Sequence, residues 1–299
     1  MVSAAAVLSS LATFMAVGHT SVLGATPWVR WSPSSGSVEF PTSSFSHAAN
    51  CDLCARNWLF VVSTGRAGST TLLNMLNEIP SFMIAGENGG FAGNLFRLKT
   101  GTARAEGIIQ RHLPQNSRQL RRHAWLRWNV SDQLGLRCAM QAYAMAFLGI
   151  SAESLSPHSV IGWKEIRYNS AQELHFMRHT FPCAKFIVNT RQDLRAQQAS
   201  GFKTGFLRDE VSPWTNPQHL KARTTDLAHW AKQLPPNATF ALPVEKFSLQ
   251  SYNEMLAFLG VSGCQFVRVL HSNVKSFVPD ASKAPVVRCS AQHDVKFTP

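Results

Sequence analysis

The sequence predicts an α/β fold of three layers, with helices covering both faces of a central, mainly parallel β-sheet. Short apolar runs alternate along the chain with stretches whose apolar residues recur at helical spacing. The runs are apolar throughout rather than at every second position, as strands buried on both faces are. A length of 299 residues, 45% hydrophobic and 15% charged, is enough for one sizeable core and excludes a disordered chain.

Residues 1–26 contain no charged side chain, and "AAAVLSSLATFMAV" within them is small and apolar. It is too short and too weakly apolar for a membrane span. A secretory signal segment with a small-residue cleavage site near Gly24 and Ala25 is the favoured reading, although no Lys or Arg precedes it. A loosely ordered extension and a different transit signal are the alternatives. Residues 27–55, rich in Ser, Pro and Thr, read as a stem or linker, and 56–299 as the folded domain. Strands are expected at 58–63, 82–86, 159–163, 185–190 and 239–244. Helices are expected near 69–79, 132–149, 170–180, 192–200, 217–233 and 250–259. The polar, basic stretch 100–131 reads as helix or insert, and the last 25 residues show little periodicity.

The 29 Lys and Arg against 17 Asp and Glu leave a net charge of +12, which favours an anionic partner without choosing one. The basic residues are scattered. Arg118, Arg121 and Arg122 form the densest group, and a solvated helix face accounts for them as well as an RNA-binding stripe does. With no interleaved aromatic platform, nucleic acid is not the expected partner.

Six cysteines and two glycosylation sequons, at Asn129 and Asn237, fit a secretory lumen. The secretory pathway is the expected location, with the Golgi lumen as a candidate within it and cytoplasm or plastid as alternatives. Cys51-x-x-Cys54 has no second Cys or His pair at zinc-finger spacing. It reads as thiols or a local disulfide just before the first strand.

The most informative stretch is "FVVSTGRAGSTTLLNML", residues 60–76. An apolar strand breaks into small polar residues, and a helix follows. Gly65 and Gly68 let backbone amides turn toward an anion. Ser69, Thr70 and Thr71 lie at the helix N-terminus, where amides and dipole favour negative charge. Arg66 adds a guanidinium fork suited to a tetrahedral oxyanion. A plain capped turn needs none of this combination. The Gly-Lys-Ser/Thr ending of a nucleoside-triphosphate loop is absent.

This loop resembles the 5′-phosphosulfate loop of sulfotransferases, especially their carbohydrate and bacterial branches. The resemblance implies a P-loop-like α/β fold. It also implies 3′-phosphoadenosine 5′-phosphosulfate (PAPS) as sulfonate donor, 3′-phosphoadenosine 5′-phosphate as product, and no metal. Arg66, Ala67, Gly68, Ser69, Thr70 and Thr71 are then the residues around the 5′ side. In "AKFIVNTRQDLRAQQASGF" (184–202), Arg191 at a strand tip matches the family's 3′-phosphate arginine. Ser200 matches its serine, although it lies nine positions on where eight is commoner, and Arg195 is an alternative contact. "LPVEKFSLQSYNEMLAFLG" (242–260) is similar to the family's closing strand, acidic turn and helix, with Glu245 structural. The resemblance spans 57–262. The cytosolic branch's Arg-Lys-Gly loop is missing, so Lys275 or Lys283 would have to replace it, and the chain falls outside that branch.

Sulfonate transfer needs a base. Glu87 in "MIAGENGGFAGNL" follows the second strand, with glycines around it that leave room for a substrate. The alternative is a turn or cap for the next helix. His112, His123 and His175 read as ordinary surface or helix residues. In "IGWKEIRY" (161–168), Lys164 is a candidate to stabilise the sulfonate or orient the acceptor. Glu165 is a second candidate base, or a partner of Arg66 or Lys164, and a structural ion-pair network is an equal alternative.

The expected function is therefore sulfonate transfer from PAPS to a hydroxyl of a carbohydrate or another small polar acceptor, with Glu87 as base and membrane association only through the N-terminal segment. A degenerate P-loop kinase or nucleotide-binding enzyme is one alternative, and it predicts magnesium-dependent ATP binding. A non-catalytic polyanion-binding protein is the other. Acceptor choice lies in loops such as 91–131 and 201–216.

Overall fold

The computed structural model describes residues 51–112, 133–168, 170–203, 216–270 and 285–297. The expectations for residues 1–50, Arg118, Arg121, Arg122, His123, the Asn129 sequon, Lys275 and Lys283 lie outside them, as does most of the loop 201–216.

Five parallel strands make the central sheet: β1 (Asn57–Ser63), β2 (Phe82–Ala85), β3 (Val160–Glu165), β4 (Lys185–Asn189) and β5 (Thr239–Ala241). Their spatial order is β2-β3-β1-β4-β5. From β1 the chain moves to one side of the sheet, and after β3 it crosses to the other. That reversal leaves a crevice beyond the carboxyl ends of the strands, where such sheets bind ligands. Register places Ser63 beside Asn189 and Val62 beside Glu165, so β1, β3 and β4 end at one level.

Every residue of β3 and β4 is buried, and so is β1 from Trp58 onward. Along β1, Trp58, Phe60 and Val62 face one layer, and Leu59 and Val61 the other. The first layer is aromatic: Phe60 meets Trp163 and Phe181 edge-on, at centroid separations of 4.5 and 4.9 Å. It is covered by α2 (Phe91–His112), α3 (Gln133–Phe147), α4 (Ala171–Thr180) and α6 (Pro217–Lys232). The second layer is aliphatic, under α1 (Ser69–Asn77) and α7 (Leu249–Leu259). Helix α5 (Leu194–Lys203) follows β4.

Local chemistry sets the helix ends. Ser170 caps α4 by accepting from the Glu173 amide, and Asn216 with Pro217 opens α6. Gly260 closes α7 at φ 70°, and a Cβ there would lie 2.1 Å from the Lys296 carbonyl oxygen.

Three expectations need correcting. The strand expected at 239–244 stops at Ala241, because Pro243 lacks an amide hydrogen and Val244–Lys246 turns as a 3-10 helix. The C-terminal region is not patternless. Strands β6 (Val261–Phe266) and β7 (Val287–Val295) pair antiparallel, with Cys264 bonded to Cys289. Cys51 and Cys54 do not form a local disulfide either. Cys51 bonds Cys138 on α3, and Cys54 bonds Cys183 just before β4, at separations of 87 and 129 residues. Gln141 reinforces this tie. Its amide group donates to the carbonyls of Leu53 and Thr180 and accepts from the Trp58 indole. Asn237 of the second sequon is exposed, in the turn before β5.

Candidate active site

Four strand ends supply the site. The loop after β1 carries Gly65, Arg66 and Gly68 at φ 72°, 50° and 79°. Gly68 is the N-cap of α1, and its carbonyl accepts from the Leu72 amide. As a glycine, Gly68 offers no side chain to cap the first turn of α1. The loop and the helix dipole therefore face the crevice with Ser69, Thr70 and Thr71 at its rim. A Cβ on Gly68 would lie 2.7 Å from Val244 Cγ2 and 2.9 Å from Phe247 Cε2. Gly68→Ala thus combines left-handed strain with overpacking and is expected to cost about 2–4 kcal/mol. Scanning calorimetry should record this as a fall in Tm of roughly 5–15 °C.

Gln197, which the sequence reading passed over, holds the loop. It is fully buried on α5, and its amide group donates to the Gly65 carbonyl at 2.6 Å and to Thr64 Oγ1 at 3.0 Å. The available signal was its spacing: Gln197 lies three residues before Ser200, on the same helix face. Ser200 accepts from Arg66 Nε at 3.2 Å and from its second terminal nitrogen at 2.9 Å. The serine and the loop arginine expected on opposite sides of the donor therefore meet.

Arg191 follows β4. Its Nη1 donates to the Arg66 carbonyl at 3.5 Å, and its Nε is buried with no hydrogen-bond partner. Glu245 fixes the turn that carries it, accepting from the amides of Gln192 and Asp193 at 2.9 and 3.2 Å. Arg195 is exposed on α5. Burial lowers the pKa of Arg66. The Glu87 charge opposes that shift, and the Arg191 charge adds to it. Two guanidinium groups are thus held close enough to disfavour each other, an arrangement that an anion between them relieves.

Glu87 and Lys164 form the other half. Lys164 Nζ is 2.9 Å from Glu87 Oε1 and donates to Thr70 Oγ1 at 3.4 Å, so one ammonium links the loop hydroxyl to the carboxylate. Lys164 is 4% exposed, and burying this cation is sustained by those two partners. Arg167 Nε lies 4.0 Å from Glu87 Oε2. Glu165 does not join them. Its side chain turns to the opposite face of β3 and accepts from the backbone amides of Ala92 and Arg167, at 3.2 and 2.7 Å. Burial raises its pKa. It anchors the start of α2 and pairs with neither Arg66 nor Lys164, against that part of the sequence expectation. His175 is exposed.

The sulfotransferase family's sequence model matches residues 59–251. The chain belongs to the sulfotransferase family. The match contains every residue assigned to the site here and stops short of the β6–β7 hairpin. Among curated proteins no match is found. Solved structures similar to this sulfotransferase include three others. One is a sulfotransferase domain from the curacin biosynthetic pathway, at 14% identity and TM-score 0.43, covering 68% of this chain and 74% of that one. Another is a sulfotransferase from Alicyclobacillus acidocaldarius, at 17% and 0.44, covering 76% and 88%. The third is a sulfotransferase domain from the Synechococcus PCC 7002 olefin synthase, at 17% and 0.44, covering 69% and 74%.

Proposed function

We propose that this sulfotransferase uses PAPS and delivers the sulfonate to a hydroxyl of a carbohydrate or another small polar acceptor. One observation carries the donor reading. Arg191, whose Nε is buried without a hydrogen-bond partner, donates to the carbonyl of Arg66, so two guanidinium groups lie at the loop that leads into the glycine-capped N-terminus of α1. A ligand with anionic groups at both ends suits that pair of anchors. Arg66, the 65–68 backbone and the hydroxyls of Ser69, Thr70 and Thr71 would hold the 5′ side. Arg191 and Ser200 would hold the 3′-phosphate.

The donor supplies an activated sulfonate, whose sulfur–oxygen bond to phosphate breaks as the acceptor oxygen bonds to sulfur. Glu87 takes the proton of that acceptor hydroxyl. Lys164, between Glu87 and Thr70, offsets negative charge gathering on the loop side. Arg66 does the same from within the loop. The reading takes no metal, because the loop lacks the Gly-Lys-Ser/Thr sequence of magnesium-nucleotide loops. Three disulfides support an oxidising compartment, and we place the enzyme in the secretory lumen, at the Golgi.

Titration calorimetry of the full chain tests the donor. 3′-Phosphoadenosine 5′-phosphate should bind without magnesium, and ATP should bind far more weakly under the same conditions. Binding of ATP that requires magnesium would favour a kinase instead. Salt-sensitive binding of polyanions, with no discrimination between the two nucleotides, would favour a polyanion-binding protein.

A further inference from the structure

Glu87 is carried by a loop with little rigidity of its own. Asn88, Gly89 and Gly90 follow it at φ 43°, 66° and 83°, three successive left-handed residues. A Cβ on Gly86 or Gly89 would meet nothing within 4 Å, so no neighbour packs against the loop at those two points. Within the loop, the Gly90 amide donates to the Glu87 carbonyl at 3.1 Å, and the Asn88 side chain donates to the Gly86 carbonyl at 3.0 Å. Lys164 holds the Glu87 carboxylate at 2.9 Å. These contacts shape the loop and its side chain, and the loop still has to be tied to the sheet where it ends.

Glu165 makes that tie. It is fully buried. One carboxylate oxygen accepts from the Ala92 amide at 3.2 Å, just past the loop, and the other accepts from the Arg167 amide at 2.7 Å, just past β3. A Cβ on Gly90 would lie 3.5 Å from Arg167 Cβ, so the segment that Glu165 fixes is also one the loop rests against. Two amide donors at different oxygens require a group that only accepts. A carboxylate is such a group, whereas a glutamine would set its NH2 against one of the two amides. A side chain that merely filled this space would not need a charge, whose burial costs free energy. Consecutive residues of β3 thus reach Glu87 from two directions. Lys164 meets its side chain, and Glu165, pointing to the other face, holds the end of its loop.

We infer that Glu165 is a positioning residue for sulfonate transfer: by tying the start of α2 to the exit of β3, it holds Glu87 where the acceptor hydroxyl arrives. The inference rests on the transfer reading above. Glu165 is sealed from solvent and meets neither donor nor acceptor, so it acts on the reaction through Glu87.

The test is a double-mutant cycle on the full chain, with PAPS carrying radiolabelled sulfonate and a pool of neutral and acidic oligosaccharides as acceptor. Glu165→Gln should lower kcat about 10–100-fold, as a slightly misplaced reacting group does. The half-saturating acceptor concentration and the affinity for 3′-phosphoadenosine 5′-phosphate should stay within about twofold of wild type. In the Glu87→Gln background the same substitution should lower kcat by less than about twofold, because nothing is left to position. A general loosening of the fold would instead lower kcat equally in both backgrounds and weaken nucleotide binding. Equal losses in the two backgrounds overturn the inference, and so does an unchanged kcat in folded Glu165→Gln. If Glu165→Gln does not fold, Glu165→Asp carries the same cycle, since its shorter carboxylate keeps the charge and cannot span both amides. No transfer by wild type, or a wild-type rate in Glu87→Gln, overturns the transfer reading itself, and the positioning role falls with it.

Discussion

Glu87→Gln is expected to lower kcat by about 10²–10⁴-fold, the usual contribution of a positioned general base. Glutamine keeps the size of the side chain and can still accept from Lys164 Nζ through its amide oxygen, but it cannot take a proton. Affinity for 3′-phosphoadenosine 5′-phosphate should change little, because Glu87 reaches that pocket through its ion pair with Lys164 and through its charge on Arg66. Steady-state kinetics beside calorimetry separate the two quantities. A fall in kcat of less than tenfold would remove Glu87 from the role of base. Lost nucleotide binding would instead make its pairing with Lys164 part of the donor site.

Arg191→Ala should have the second large effect, about 10²–10³-fold weaker binding of 3′-phosphoadenosine 5′-phosphate, in the range that follows truncation of one partner in a buried charged contact. The free protein should lose no stability. Its Nε is buried without a partner, and its charge depresses the pKa of Arg66, so the native state carries a cost that alanine removes. Thermal melts therefore make a paired prediction: Tm unchanged or raised without ligand, and the ligand-induced rise gone. Arg191→Lys should restore only part of the affinity, since a single ammonium cannot replace the fork. A free-state Tm that drops by many degrees would mean that Arg191 is a structural residue.

The parallel sheet was legible because its strands are apolar on both faces, a signal that survives without any knowledge of neighbours. The loop after β1 was legible because its special backbone needs glycines at fixed places. The C-terminal hairpin was not. Ser262, Gln265, Arg288 and Gln292 are exposed, and the inward set of Val261, Phe266 and Val295 is too sparse to read as a strand pattern. A disulfide holds the pair together, and cysteine spacing does not reveal pairing. The same limit misled the reading of Cys51 and Cys54, whose closeness in sequence suggested a mutual bond while each reaches far along the chain. Glu165 and Gln197 were opaque for another reason. Their roles depend on backbone amides and carbonyls of other elements, which the identity of a side chain does not announce.

The stapling of residues 51–54 also fixes a direction. Cys183 and the Thr180 carbonyl lie where β4 begins, whereas Arg66, Glu87 and Arg191 lie where strands end. The polypeptide therefore enters the sheet at the pole opposite the candidate site. A protein immobilised on a bead or surface through residues 51–54 would hold the candidate site away from the support, open to large ligands.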